Sequence, residues 1–160
     1  MIIRPATDAD AAAIWRIFHA VVAPGDTYSF TAETTEREAV AYFMAPGITS
    51  FVAVEDGRVV GMYKLIPNRL GRGSHVSNAS FMVDPSVQGK GVGRALGEHC
   101  LAEARRQGYD AMQFNFVVST NTAGVSLWKK LGFEIVGTLP RAFRHAALGD
   151  VDAYVMHRFL

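Results

Sequence analysis

The stretch that decides the fold is Gln88-Gly89-Lys90-Gly91-Val92-Gly93-Arg94, which follows the apolar run Phe81-Met82-Val83. Its glycines lack Cβ atoms, so a phosphate group can approach the backbone closely. The helix that begins near Val92 leaves its first N–H groups unpaired, and its dipole adds positive potential there. Lys90 and Arg94 add full positive charges. The segment therefore predicts a site for a phosphorylated ligand between a strand and a helix.

This loop departs from two common nucleotide-binding motifs. A P-loop requires Ser or Thr after its lysine, whereas Lys90 is followed by Gly91. The dinucleotide fingerprint G-x-G-x-x-G lacks its third glycine, because Leu96 holds that position. For the glycine run alone, a tight turn that simply begins a helix stays an alternative.

The hydrophobic pattern on both sides of the loop predicts a mixed α/β sheet, mostly antiparallel, with one βαβ crossover near the middle. Periodic apolar residues predict helices over four segments: about 8–23, Glu33–Met44, Val92–Gln107 and about 121–131. Alternating or continuous apolar runs predict strands over seven: Ile2–Arg4, Ser50–Glu55, Arg58–Ile66, His75–Val83, Asp110–Val118, Phe133–Leu139 and Val151–Phe159. Asp56-Gly57 predicts a tight hairpin, and Pro140–Asp150 is expected to be an irregular loop.

Composition limits the classes of protein to consider. A chain of 160 residues with 49% hydrophobic residues can bury a sizeable core, so residues 1–160 are expected to form a single domain. A net charge of +1 argues against a nucleic-acid partner. The lone Cys100 excludes an intramolecular disulfide and a Cys-rich zinc site, and we expect no metal. No apolar run approaches ~20 residues, so we expect a cytoplasmic protein without a membrane partner.

Two motifs together resemble the GCN5-related N-acetyltransferases. The acyl-coenzyme A signature of that family is Gln or Arg, two residues, Gly, one residue, then Gly or Ala, and it matches Gln88–Gly93. A second element matches Asn121, Ala123, Leu127 and Leu131-Gly132-Phe133. The order of elements is similar over nearly the whole chain. The resemblance implies an α/β (α+β) fold with a mixed sheet of six to seven strands, splayed between its central strands and flanked by about four helices.

The resemblance also implies acetyl-coenzyme A (acetyl-CoA) as cosubstrate. Its pyrophosphate would lie on the amides of Gly89 through Gly93, and its pantetheine arm would hydrogen-bond to the strand near Met82 and Val83. Asn121 would contact the pantetheine, although a plain N-cap is an equal alternative. The expected cofactor-binding residues are Met82, Val83, Gln88, Gly89, Lys90, Gly91, Val92, Gly93, Arg94 and Asn121.

The groups that many relatives use for proton transfer are missing. Between Gly57 and Gly97 the only acidic residue is Asp84, which an Asp-Pro turn should occupy. His75 is the nearest candidate base, with an ordinary pKa of about 6.5, and a surface role is the alternative. Trp128 stands where relatives commonly have a Tyr that protonates the leaving sulfur. Because a thiol has a pKa of about 8.5, the thiolate can leave without that acid.

Two asparagines, Asn78 and Asn115, interrupt apolar strands. A buried amide is costly unless it is hydrogen-bonded, so internal satisfaction is one interpretation. The segments 78–83 and 114–117 are also similar to the subgroup of the yeast azetidine-2-carboxylate acetyltransferase. In that subgroup the resemblance implies that Asn78 holds a substrate carboxylate and Asn115 polarises the acetyl carbonyl. The hypothesis is a small-molecule amine that bears a carboxylate, such as a proline analogue.

Two other functions stay open at this point: a non-catalytic sensor of acetyl-CoA and a protein N-terminal acetyltransferase. Family resemblance gives the expectation of a homodimer. Five aromatic residues are candidates for the acceptor side of the site, with core packing as the alternative: Tyr28, Phe30, Tyr63, Phe143 and Tyr154.

Overall fold

The computed structural model describes residues 1–160 and contains seven strands and four α-helices. The strands are β1 (Ile2–Pro5), β2 (Thr49–Glu55), β3 (Arg58–Pro67), β4 (Val76–Val83), β5 (Ala111–Val118), β6 (Glu134–His145) and β7 (Gly149–Phe159). The helices are α1 (Ala11–Val22), α2 (Glu36–Met44), α3 (Val92–Arg106) and α4 (Thr122–Lys130). None of the helices is long and apolar enough to cross a membrane.

All seven strands form one sheet in the order β1-β2-β3-β4-β5-β7-β6. Every neighbouring pair is antiparallel except β4 and β5, which run parallel. A parallel pair needs a long crossover connection, and α3 provides it. The prediction of a mixed, mostly antiparallel sheet with about four helices is confirmed.

The sheet parts between β4 and β5. These strands pair only at Val76↔Ala111 and Ser77↔Met112, whereas β4 stays paired with β3 as far as Val83. Since β4 leads to the glycine loop through a single short turn at Pro85–Val87, the gap opens toward that loop. The predicted splay is confirmed.

Helices cover both faces of this sheet. One face carries the apolar stripe of α3, and the other carries buried residues of α1 and α2. Cys100 is fully buried in the α3 stripe, where burial raises the pKa of its thiol. The cysteine is therefore a packing residue.

The tight turn between β2 and β3 is also confirmed. Asp56 and Gly57 have φ angles of 50° and 75°, both in the left-handed region that this hairpin turn requires. Antiparallel pairing of the two strands follows from it.

The prediction of an irregular loop over Pro140–Asp150 was wrong. β6 continues to His145 and β7 begins at Gly149, so most of this segment belongs to a long hairpin. The register shifts between Leu139 and Phe143, and Arg141 has a φ of 51°. Because Pro140 has no N–H to donate, the strand accommodates it in a bulge and then resumes pairing.

Phe116 departs from the alternation of inward and outward side chains that a regular strand shows. This side chain is 38% exposed, whereas Val117 is buried. The pairing of β5 with β7 shifts register between Phe114 and Val117, so a bulge contains Asn115 and Phe116. A bulge of this kind redirects side chains, and both residues consequently face the gap side of the sheet.

Asp84 joins three parts of the fold directly after β4. Its carboxylate, 4% exposed, accepts hydrogen bonds from Ser86 and forms ion pairs with Arg16 of α1 and Arg58 of β3. Burial alone would raise the pKa of Asp84, but the hydrogen bonds from Ser86 and Arg16 outweigh it and hold the pKa well below its ordinary value. The residue is engaged structurally, as the Asp-Pro motif predicted.

We expect Asp84→Asn to lower the free energy of unfolding at pH 7 by about 1–3 kcal/mol, because it leaves two guanidinium groups without their shared carboxylate. The Asp84 carboxylate contributes its full stabilisation above the pKa of an unfolded aspartate, about 3.9, and loses it as the pH falls below that value. The difference in unfolding free energy between wild type and variant should therefore narrow at low pH. Urea unfolding at several pH values measures this.

A matched control is Asp150→Asn, which removes a carboxylate from a more exposed pair with Arg141 and Arg144 at 3.3 Å. This substitution should lower the free energy of unfolding by less than about 1 kcal/mol. Equal losses for the two variants would contradict the role assigned to Asp84.

Candidate active site

The glycine loop adopts a backbone that only glycine tolerates well. Gly89 and Gly91 have φ angles of 78° and 84°, and Gly91 is the N-cap of α3. A Cβ built on either glycine would meet nothing within 4 Å, so the space above both residues is open to a ligand. The predicted loop and helix start are confirmed.

Five amides of this loop lack an internal hydrogen-bond acceptor. They are the N–H groups of Gly89, Gly91, Val92, Gly93 and Arg94. Lys90 is exposed and has no ion pair, while the Arg94 guanidinium donates to Glu98 at 2.8 Å. Unpaired donors, a helix N-terminus and a free lysine together fit a pyrophosphate.

The free edge of β4 presents the backbone of alternate residues to the gap. The Phe81 N–H donates to the Tyr28 hydroxyl at 3.0 Å, and that hydroxyl donates to the Phe81 C=O. Along an antiparallel strand, the backbone N–H and C=O groups of successive residues point alternately to one side and the other. Those of Val83 therefore point to the gap, as those of Phe81 do, whereas those of Met82 point to its partner Met62 on β3. The backbone of Met82 is therefore engaged with β3, which argues against its predicted contact with pantetheine, whereas the backbone of Val83 is left free at the gap.

A cavity of about 340 Å³ lies at the gap. Its walls come from the segment before α2, from α2, from the parted strands β4 and β5, and from α4. The lining residues are Thr27, Tyr28, Ser29, Phe30, Tyr42, Asn78, Ala79, Ser80, Phe81, Phe114, Asn115, Phe116, Val117, Val118, Asn121, Gly124 and Trp128.

The structure brings together most of the side chains predicted for the acceptor site. Asn78, Asn115 and Asn121 all line the cavity, with Trp128 beside them. His75 does not: it lies on an exposed turn before β4 and outside the cavity lining. Its position gives no support to the prediction that it is the base.

Of the five aromatic candidates, Tyr28 and Phe30 line the cavity, whereas Tyr63, Phe143 and Tyr154 do not. Tyr42 and Ser80 are among the polar lining residues that were not predicted as site residues. Tyr42 and Ser80 share a hydrogen bond of 2.7 Å between their hydroxyl groups. In the sequence, Tyr42 lies next to the apolar residues Phe43 and Met44 of α2, and this position could have indicated that its ring faces inward.

A chain of amides links the two parted strands. The Asn78 side chain donates to the Gln113 C=O at 2.8 Å, and the Gln113 side chain donates to Asn115 Oδ1 at 2.9 Å. Asn115 Nδ2 in turn donates to Asn68 Oδ1 at 2.6 Å. Each NH₂ group carries two hydrogens, so Asn78 and Asn115 each retain one free N–H, and Asn78 also retains its carbonyl oxygen.

No charged side chain and no imidazole lines the cavity. Its polar groups are hydroxyls and amides, which are neutral near pH 7. The Trp128 ring packs at a tilt against the Phe81 and Phe114 rings, with centroids 4.8 and 4.9 Å apart, and offers no acid for the leaving sulfur. Charge that develops during the reaction can therefore be stabilised by these lining residues only through hydrogen bonds.

A sheet that parts at one parallel pair, with a phosphate-binding loop beside the gap and a neutral cavity in it, defines a transferase that binds an acyl-coenzyme A. The chain belongs to the acetyltransferase (GNAT) family, whose model matches residues 14–133. It is an N-acetyltransferase that uses acetyl-CoA as cosubstrate and transfers the acetyl group to an amine.

Two curated relatives match most of the chain. N-acetyltransferase aca1 of Schizosaccharomyces pombe is 32% identical over 148 residues, covering 82% of this chain and 71% of the relative, and confirms the predicted subgroup resemblance. The L-methionine sulfoximine/L-methionine sulfone acetyltransferase of Salmonella typhimurium is 32% identical over 146 residues, covering 88% and 84%.

Two solved structures are similar over nearly their whole length. A GCN5-related N-acetyltransferase from Kribbella flavida has a TM-score of 0.95 and 45% identity, covering 99% of this chain and 97% of that one. The acetyltransferase yncA from Salmonella typhimurium, solved with acetyl-CoA, has a TM-score of 0.87 and 30% identity, covering 100% and 94%.

Asn121 has a confirmed structural role as the N-cap of α4. Its Oδ1 accepts a hydrogen bond from the Gly124 N–H at 3.1 Å, and its Nδ2 is not used within the chain. We expect Asn121→Asp to keep the cap but lose the donor. The KM for acetyl-CoA should then rise, while the melting temperature stays close to that of the wild type.

The matched variant is Asn121→Ala, which removes both the cap and the donor and should cost about 1 kcal/mol of stability. Steady-state kinetics and thermal melting of both variants separate the two roles. An unchanged KM for Asn121→Asp would show that Asn121 acts only as a cap.

Proposed function

We propose that the protein acetylates the amine of a small molecule that carries a carboxylate, such as a proline-like amino acid. The observation that carries this proposal is the neutral cavity lined by three asparagines at the gap between β4 and β5. A volume of about 340 Å³ suits a small molecule. The curated relative that acts on L-methionine sulfoximine or sulfone, a small amino acid analogue by name, supports the same class.

Acetyl-CoA would supply an activated thioester, held by the glycine loop through Gln88, Gly89, Lys90, Gly91, Val92, Gly93 and Arg94. The five unpaired amides and Lys90 would bind the pyrophosphate, and Val83 would bind the pantetheine arm from the free edge of β4. This arrangement would direct the acetyl end into the gap, where the asparagines lie.

Asn115 is the proposed donor to the acetyl carbonyl. In the transfer, the amine nitrogen forms a bond to the carbonyl carbon, and the oxygen gains negative charge. The free N–H of Asn115 would stabilise that charge. The hydrogen bonds to Gln113 and Asn68 fix the amide plane, so its orientation would need no adjustment during the reaction.

Asn78 is the proposed contact for the substrate carboxylate. Its free N–H lies on the β4 side of the cavity, opposite the β5 bulge that contains Asn115. One asparagine would thus hold the acceptor while the other acts on the acetyl group. The amine proton would leave to water, because no basic side chain lines the cavity, and the thiolate would leave without an acid.

The proposed substrate class is tested by release of free coenzyme A across a matched panel. The panel contains cyclic and acyclic amino acids, their carboxamides, aminoglycosides and peptides. We expect the highest kcat/KM with a carboxylate-bearing amine smaller than a dipeptide. Turnover confined to large cationic amines, or to peptide N-termini, would refute the proposal.

We expect Asn115→Ala to lower kcat roughly 100-fold, because it removes a donor to the developing oxyanion. Steady-state kinetics with the best substrate of the panel measures this. A matched control is Asn68→Ala, which breaks the same Asn68–Asn115 hydrogen bond but leaves the donor in place, and should show a clearly smaller loss. If Asn115→Ala retains wild-type kcat, Asn115 is a structural amide only.

A further inference from the structure

Lys64 is the one buried charge in the chain that has no counter-ion. Four charged side chains are buried, and the three carboxylates among them, Asp10, Asp84 and Glu103, each pair with an arginine. Lys64 is 6% exposed and makes neither an ion pair nor a hydrogen bond. A buried ammonium is stable only when paired, so this residue requires an explanation.

The position of Lys64 relates it to the cavity. It lies on β3 directly opposite Ser80, and its Nζ is 3.2 Å from the centroid of the Tyr42 ring. Both Ser80 and Tyr42 line the cavity and are hydrogen-bonded to each other. Lys64 therefore lies immediately behind the wall that faces the acceptor.

The ammonium group is not sealed inside the core. Thr120 Oγ1 is the only fully enclosed side-chain polar atom that lacks a partner, so the unpaired Nζ of Lys64 keeps some accessible surface. Lys64 itself is not among the lining residues, so contact with an anion in the cavity requires Tyr42 or the lysine side chain to move.

The aromatic ring compensates only part of the cost of burial. A cation over a tyrosine ring is attracted by the negative face of the ring, but less strongly than by a carboxylate. Burial lowers the pKa of Lys64 to about 8, which leaves most of the population charged at pH 7. The free protein thus holds a positive charge that is incompletely satisfied.

We infer that Lys64 is the specificity-determining cation that selects acceptors carrying a carboxylate. The inference rests on the proposed function. Asn78 can donate a hydrogen bond to the carboxylate, and Lys64 would supply the positive charge that an amide lacks. An acceptor carboxylate between Asn78 and Ser80 would replace the weak aromatic partner of Lys64 with a full counter-ion. Neutral amines of the same shape would leave Lys64 unpaired and bind less well.

The test compares the best carboxylate-bearing substrate with its own carboxamide in the wild type and in Lys64→Met. Methionine has nearly the volume of lysine without the charge. We expect the variant to lose about tenfold or more in kcat/KM for the carboxylate, mainly through KM, and to keep its rate with the carboxamide within about twofold. Arg105→Met, on the last turn of α3 and without an ion pair, controls for net charge and should match the wild type.

Thermal melting without ligands gives an independent readout. Because Lys64→Met removes an unpaired buried charge, we expect its melting temperature to equal or exceed that of the wild type. A lower melting temperature together with equal losses on both substrates would make Lys64 a packing residue and overturn the inference.

The two proposals fail in different ways. If the wild type prefers the carboxylate and Lys64→Met keeps that preference, only the role of Lys64 is overturned. If the wild type prefers the carboxamide, or accepts only amines without a carboxylate, the proposed substrate class and the role of Lys64 are both overturned.

Discussion

The structure depends on one interruption of backbone pairing: β4 and β5 separate after Ser77 and Met112. A sheet interior normally satisfies its N–H and C=O groups from strand to strand, so two edges opened inside a sheet need other partners. Asn78 meets that need at the start of the gap, and the Tyr28 hydroxyl meets it at Phe81. What remains free, at Val83 and along the glycine loop, is a row of groups available to a ligand.

The separation also explains the distribution of charge. The buried carboxylates Asp10 and Asp84 join separate elements of the fold through arginines, whereas Glu103 pairs with Arg106 within α3. All of these arginines lie outside the cavity lining. The cavity itself is lined only by neutral residues. Two cations next to the site lack an ion pair, Lys90 just before α3 and Lys64 beside the Tyr42 ring. The fold thus separates the charges that stabilise it from those available to ligands.

The sequence was informative wherever the local backbone conformation can be adopted by only a few residue types. Gly89 and Gly91 occupy left-handed positions, and Asn121 is an N-cap, so motif spacing could predict both. The strand through Pro140 could not be predicted, because its bulge is stabilised by pairing with β7, which follows in the chain. Lys64 was missed for a similar reason. A single lysine in an apolar strand is ordinarily solvated, whereas here the Tyr42 ring from α2 packs against its ammonium group.

A neutral cavity beside a lone cation has a consequence for the proton of the acceptor amine. An amino acid is a zwitterion in water near pH 7, but only the neutral form of its amine can attack a thioester. Desolvation in a cavity without acidic groups disfavours the ammonium form, and the nearby charge of Lys64 disfavours it further. The same charge favours the carboxylate at the other end of the molecule. With Lys64 and Asn78 on the carboxylate, the proposed site would promote loss of the amine proton to water by its electrostatics alone, which accounts for a transferase whose cavity holds no Glu and no His.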